Sequence, residues 1–329
     1  MEAIDMHNHF IAPEIIDYLG REGKHFATRV VERDGRRFFL IQESAMRPID
    51  GAISTPHARV ADMEREGITA QAVSCVPFLM YPDVSADLGL AIAQTNNNAL
   101  AALGKSDANH FVPLASVPLQ DPERAARELE RAAKLGLRGV EIPPKVGEKQ
   151  LDEHEFEPFW AAAESLRMAV CIHPFEAAPA GALARYFLGN LVGNLYDTGL
   201  AAALLIYGGV LERHPNLQIV LYHAGGTLPA LVGRLDMGYR LVPECRSAIP
   251  RPPSTYAAQF HFDIIAHNRA MLSHLIQNYG ASQFVIGSDY PLAAGLAHPA
   301  EEVKALGLNS DDQQKIMSGN ARRLLRLEN

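Results

Sequence analysis

The chain holds 329 residues, 48% of them hydrophobic and 21% charged, and its 38 acidic and 30 basic side chains leave a formal net charge of −8. Such globular usage excludes disorder as the main state and argues against a nucleic-acid partner, which would draw its affinity from Lys and Arg on phosphates. Cys75, Cys171 and Cys245 are too scattered for a disulfide framework, no leader-like segment opens the chain, and no run of about 18 apolar residues occurs, so a cytoplasmic protein without a membrane segment is expected.

The first strand-like run is Ala3–Met6, which leads into Met6-His7-Asn8-His9 rather than a Gly-rich phosphate turn. Residues Gly23–Ile53 break the rhythm. There Val30-Val31 and Phe38–Ile41 flank Asp34-Gly35, which predicts a small β-hairpin insertion after strand 1. Beyond it, β-branched runs alternate with segments of helical period. Strands are expected at Ala70–Val76, Phe111–Val117, Arg138–Ile142, Met168–Ile172, Leu217–Tyr222, Phe260–Ile265 and Phe284–Gly287. Helices are expected at Pro122–Leu135, Phe156–Leu166, Leu200–Arg213 and Arg269–Asn278, with Asp121-Pro122-Glu123 opening the first of these and Gly136 closing it. Ser310 to Leu327 reads as a closing helical segment. Eight strands alternating with helices predict an α/β fold, a (β/α)8 TIM barrel, as one catalytic domain over 1–329 with the insertion at 23–53 inside it. An open doubly wound sheet is the alternative.

Of the 13 histidines, four sit at predicted strand ends. His7 and His9 are two residues apart, so strand alternation turns both to one face. His173 ends strand 5, His223 ends strand 6, and Asp289 ends strand 8 in Gly287-Ser288-Asp289-Tyr290-Pro291. In a barrel these positions share the C-terminal mouth, where active sites lie. Imidazoles and a carboxylate converging there suit a borderline divalent cation such as Zn²⁺.

Asp5-Met6-His7-Asn8-His9, His173-Pro174, His223-Ala224-Gly225-Gly226 and Gly287-Ser288-Asp289-Tyr290-Pro291 together resemble the amidohydrolase superfamily, and within it the aminocarboxymuconate-semialdehyde decarboxylase branch. The likeness extends to Leu191-Val192-Gly193, Tyr207-Gly208-Gly209-Val210 and Pro229 to Gly233-Arg234. The resemblance implies one divalent metal ion on His7, His9, His173 and Asp289, with Zn²⁺ the first expectation and Mn²⁺ the second. It implies His223 as acid/base, with Asp289 also catalytic, non-oxidative loss of CO₂ from an unsaturated or aromatic acid, and a homodimer. Hydrolysis of a lactone or amide, or hydration, on the same barrel is the alternative. A barrel that only binds ligands is not expected when all five positions are kept.

The chain also departs from that pattern. Where the branch's namesake grips its dicarboxylate with two arginines, this sequence aligns Phe39 and Val242, and Ala224 replaces a glycine. The expected substrate is therefore not the namesake's but a smaller or more aromatic monoacid, packed on Phe39 and Phe175. Arg185 and Arg240, beside Arg37 and Arg47, are candidates for a carboxylate clamp, and His267 for the mouth's lining. Lys145 reads as a loop residue and Cys171 as a small core hydrophobe. His25, His57, His110, His154, His214, His274 and His298 are expected to face solvent. Asn96-Asn97-Asn98 lies on a helix without an assigned role.

Overall fold

The computed structural model describes residues 2–43, 45–175 and 181–327. Eight parallel strands follow one another around a barrel: β1 Ile4–Phe10, β2 Ala70–Cys75, β3 Phe111–Ala115, β4 Gly139–Ile142, β5 Ala169–Ile172, β6 Gln218–Leu221, β7 His261–Asp263 and β8 Phe284–Val285. Parallel bridges from Asp5 to Ile286 and from Asn8 to Tyr290 bring the last strand back to the first. The open-sheet alternative is thereby excluded.

Alternation along the strands divides the core in two. Ala169 and Cys171 of β5 join Met6, Leu114 and Tyr222 inside the barrel. Val170 and Ile172, the intervening residues, join the outer cluster with Trp160 and Phe159 of the flanking helix. Cys171 is thus the small core residue its parity suggested. The closing segment sends Ala321, Leu324 and Leu325 into the inner cluster, sealing the end at which the strands begin.

Caps and glycines set the helix boundaries. Asp121 accepts a hydrogen bond from the Arg124 amide at 3.0 Å to start the helix Pro122–Leu135, and Gly136 ends it at φ +101°. The expected helix Leu200–Arg213 instead begins at Leu195. It breaks at Gly208-Gly209, where Gly209 turns left-handed at φ +72°, into Leu195–Tyr207 and Val210–Arg213. The apolar period continues across that break and conceals it.

The insertion is larger than a hairpin. Thr28–Arg33 and Arg36–Ile41 pair antiparallel about Asp34-Gly35, and a third strand, Ala45–Pro48, pairs with the second. The asparagine cluster also acquires a role. Asn97 on the helix Ala86–Ser106 accepts from the Ser116 amide at 2.8 Å and donates to the Ser116 carbonyl at 2.9 Å. It thereby fastens that helix to the loop leaving β3. Among the described residues, no helix is long and apolar enough to cross a membrane.

Candidate active site

The site begins with a fault in β1. Asp5 lies opposite Gln71 and Asn8 opposite Val73, so three residues on β1 span two on β2. This bulge lets neighbours Met6 and His7 both turn inward. Met6 belongs to the inner cluster, and His7 stacks on Tyr222 of that cluster with ring centroids 3.7 Å apart. His9 then lies beside His7, 5.1 Å between centroids. Simple alternation put both histidines on one face; the bulge adds the rotation that places them against Tyr222.

His173 leaves the end of β5. His223 and Asp289 stand beyond the ends of β6 and β8, in the left-handed region at φ +55° and +58°. Such conformations are costly for residues with a Cβ and gather at functional turns. Asp289 is the hub. Its Oδ1 lies 3.2 Å from His7 Nε2, 3.0 Å from His9 Nε2 and 3.8 Å from His173 Nε2, and its Oδ2 lies 3.8 Å from His223 Nε2. One ligand atom from each of His7, His173, His223 and Asp289 falls within 4.8 Å of all the others. The expected ligand set had His9 in place of His223. Both imidazoles border the same carboxylate.

The outer ring nitrogens are committed elsewhere. His7 Nδ1 meets Asp263 Oδ2 at 2.6 Å, His9 Nδ1 the Cys75 carbonyl at 3.1 Å, and His173 Nδ1 the Pro174 carbonyl at 2.7 Å. Each acceptor holds a proton on Nδ1, so Nε2 is the nitrogen that faces inward and that would bind a cation in exchange for its own proton. The Nε2 atoms and the Asp289 carboxylate oxygens thus converge on one point, and His9 Nε2 meets Asp289 Oδ1 at 3.0 Å, within hydrogen-bond distance. Nε2 of His7 and of His173 is buried and, among the described residues, makes no hydrogen bond of good geometry. This is a cage that a divalent cation fits.

The electrostatics point the same way. Burial opposes charge on His7, yet Asp289 and Asp263 outweigh it and raise the imidazole to about 10. Burial, with His9 and His7 close by, pushes His173 well below the usual histidine range. Asp289 is buried too, but His7, His173 and His223 hold its carboxyl well below the usual range. The cage demands positive charge.

Two carboxylates escaped the sequence reading. Asp263 on β7 supports His7, and Glu141 on β4 stands 3.9 Å from His9 Nδ1 while taking the Ser74 hydroxyl at 2.6 Å. A carboxylate inside an apolar strand run was the available signal, since burying one without a partner is costly.

A cleft of about 1140 Å³ opens beside the cage, with His223, Leu195, Ile265, His267 and Leu275 among its walls. No Lys, Arg, Asp or Glu lines it among the described residues. His267 is therefore at the mouth. Arg185 is exposed, 5.4 Å over the Tyr186 ring, and Arg240 is exposed on the helix Leu228–Leu241; neither lines the cleft. Arg37 pairs with Asp50 at 2.8 Å. Phe39 offers no surface to a ligand: its ring is wholly buried in the outer core because its side of the inserted sheet packs inward. Phe175 is half-buried, two residues past His173. His214, expected in solvent, is buried between Glu157 and Glu164 at 2.7 and 3.1 Å.

Known proteins share this architecture. The model of the amidohydrolase family matches residues 4–327. A 2-amino-3-carboxymuconate-6-semialdehyde decarboxylase of Dictyostelium discoideum is 30% identical over 292 residues, covering 88% of this chain and 81% of the relative. A gamma-resorcylate decarboxylase of Rhizobium sp. (strain MTP-10005) is 28% identical over 261 residues, 73% of this chain and 77% of the relative. The solved 5-carboxyvanillate decarboxylase of Sphingomonas paucimobilis shares the fold with a TM-score of 0.85 at 24% identity, over 100% of both chains. A dihydroxybenzoic acid decarboxylase of Polaromonas sp. JS666, solved with bound manganese and 2-nitroresorcinol, has a TM-score of 0.78 at 24% identity, over 99% of this chain and 97% of its own. The match runs from the first barrel strand to the closing helix, and the chain belongs to the amidohydrolase family, in its aminocarboxymuconate-semialdehyde decarboxylase-like branch.

Proposed function

We propose that this chain is a metal-dependent carboxy-lyase that removes CO₂, without redox change, from an aromatic or unsaturated monocarboxylic acid. The carrying observation is the cage of three inward Nε2 atoms on Asp289, beside a cleft with no charged wall among the described residues. His7, His9, His173 and Asp289 would hold one divalent ion, which when bound supplies a Lewis acid to grip the substrate carboxylate and a neighbouring oxygen. An imidazole-rich set makes Zn²⁺ the first choice, with Mn²⁺ the second.

Breaking the C–CO₂ bond directly at an sp² carbon would leave an unstabilised carbanion, so that carbon must first take a proton and become sp³, and the electron pair of the broken bond then restores the π system as CO₂ departs. His223 stands in the cleft wall with Nε2 3.8 Å from Asp289 Oδ2, and this pair moves the proton the carbon needs. The absence of a cation in the described walls favours a monoacid with an apolar body over the namesake's dicarboxylate. The cleft is roomier than a small ring requires, so ring substituents are accommodated. His267 and Phe175 are proposed substrate contacts, and Arg185 and Arg240, the latter on the helix Leu228–Leu241, reach a carboxylate only if the segments that carry them shift.

A homodimer is proposed from the surface. Tyr186 at 79% and Leu241 at 70% exposure stand out in water with Phe187, Leu191, Val192 and Val242, and a second copy of the chain would cover them. One catalytic unit over the whole chain, with 23–53 inserted, accords with the continuous family match. The three free cysteines accord with a cytoplasmic location.

A panel of hydroxybenzoates, nitrobenzoates and muconates, followed by CO₂ release and ultraviolet change, tests the reaction. Stoichiometric CO₂ with the decarboxylated product is expected. Turnover of a lactone or amide without CO₂ would replace this reading with the hydrolase.

A further inference from the structure

Asp263 ends β7, is wholly buried, and accepts four hydrogen bonds. Its Oδ2 takes His7 Nδ1–H at 2.6 Å and the His223 amide at 2.9 Å. Its Oδ1 takes the Ala224 amide at 2.7 Å and the Ile265 amide at 3.0 Å. One side chain thus ties an imidazole of β1 to the corner that follows β6.

That corner needs holding. His223 and Ala224 stand at φ +55° and +53°, and Gly225 and Gly226 continue at +80° and +58°. Residues with a Cβ resist this conformation. Charge-assisted bonds from two successive amides to one carboxylate offset that resistance, and they set where the His223 ring points. Room for the arrangement comes from β8. A Cβ at Gly287 would lie 2.7 Å from Asp263 Cβ and 2.9 Å from His7 Cβ, so glycine there lets the carboxylate close on the imidazole.

We infer that Asp263 is a positioning residue that fixes the metal-facing ring of His7 and the acid/base ring of His223 relative to one another. The inference rests on the proposed metal site. It assigns Asp263 two separable effects: one on metal affinity through His7, one on kcat through the His223 corner.

The test compares wild type with Asp263→Asn, Asp263→Asn/Ala224→Gly and Gly287→Ala. Metal affinity is read by chelator competition, kcat and KM at saturating metal, and folding by circular dichroism. Asp263→Asn is expected to weaken metal binding about 10- to 100-fold, the range for losing a ligand's hydrogen-bonded support. Its kcat is expected to fall about tenfold or more, with KM little changed. Adding Ala224→Gly frees the corner to adopt positive φ unaided and should recover part of kcat while metal affinity stays low. A scaffold role would instead move both readouts together. Should Asp263→Asn fail to fold, Gly287→Ala carries the test, because its methyl pushes the carboxylate off His7 and weakens metal binding. Wild-type metal affinity in Asp263→Asn, or in Gly287→Ala where Asp263→Asn does not fold, would overturn the positioning role. Joint recovery of affinity and kcat by Ala224→Gly would overturn it as well. Wild-type protein that binds no metal would contradict the proposed function itself.

Discussion

Asp289 is the residue on which the site turns, because every inward Nε2 borders its carboxylate. Asp289→Asn keeps the size and removes the charge that gathers four imidazoles. We predict a folded protein, by circular dichroism, with CO₂ release lost by at least a hundredfold; a variant retaining full activity would contradict the assignment. Glycines give a second test at this scale. A Cβ at Gly225 would sit 2.7 Å from the Phe262 ring at φ +80°, whereas Gly35 has open space at φ +71°. Gly225→Ala should therefore cost about 2–4 kcal/mol, strain plus overpacking, and Gly35→Ala only about 1–2 kcal/mol of strain, as read by denaturant unfolding. The strand-end histidines were legible because residue type and strand position coincide in the sequence. Asp263 and Glu141 were not, because their partners, His7 and His9, lie more than a hundred residues away. Arg185 and Arg240 stand outside the cleft wall for the converse reason: charge type is visible in a sequence, but the direction of a long side chain is not.

Elements were legible where a local signal coincided with the tertiary arrangement. The eight strand runs needed only β-branched periodicity, and the Asp121 cap and Gly136 stop bounded their helix to the residue. The misses have local physical causes. Ala45–Pro48 carries no strand pattern of its own and pairs because the preceding hairpin offers it an edge. The bulge in β1 follows from closing the barrel: the His9 amide donates to the Tyr290 carbonyl at 2.8 Å, while the Ser288 and Asp289 amides both donate to the His7 carbonyl at 3.1 and 2.7 Å. These bonds place Asp289 directly against β1, which no pattern within either segment announces. The Asn97 latch is of the same kind, since its meaning lies in the backbone of Ser116, nineteen residues further on.

At the scale of the whole molecule, the fold followed from the order of its elements, while assembly depends on surface. The exposed apolar side chains on 183–196 and 237–242 predict self-association. Leu191→Glu/Leu241→Glu should shift the protein from dimer to monomer in sedimentation or light scattering, and a wild-type monomer would contradict the dimer. The central claim is that one divalent ion in the Asp289 cage makes the chain a decarboxylase. Metal-stripped protein titrated with Zn²⁺ or Mn²⁺ while CO₂ is counted tests it most directly. No CO₂ is expected before metal is added, then a linear rise that saturates at one equivalent per chain. Full CO₂ release from metal-free protein, or none at any metal load across the acid panel, would contradict it.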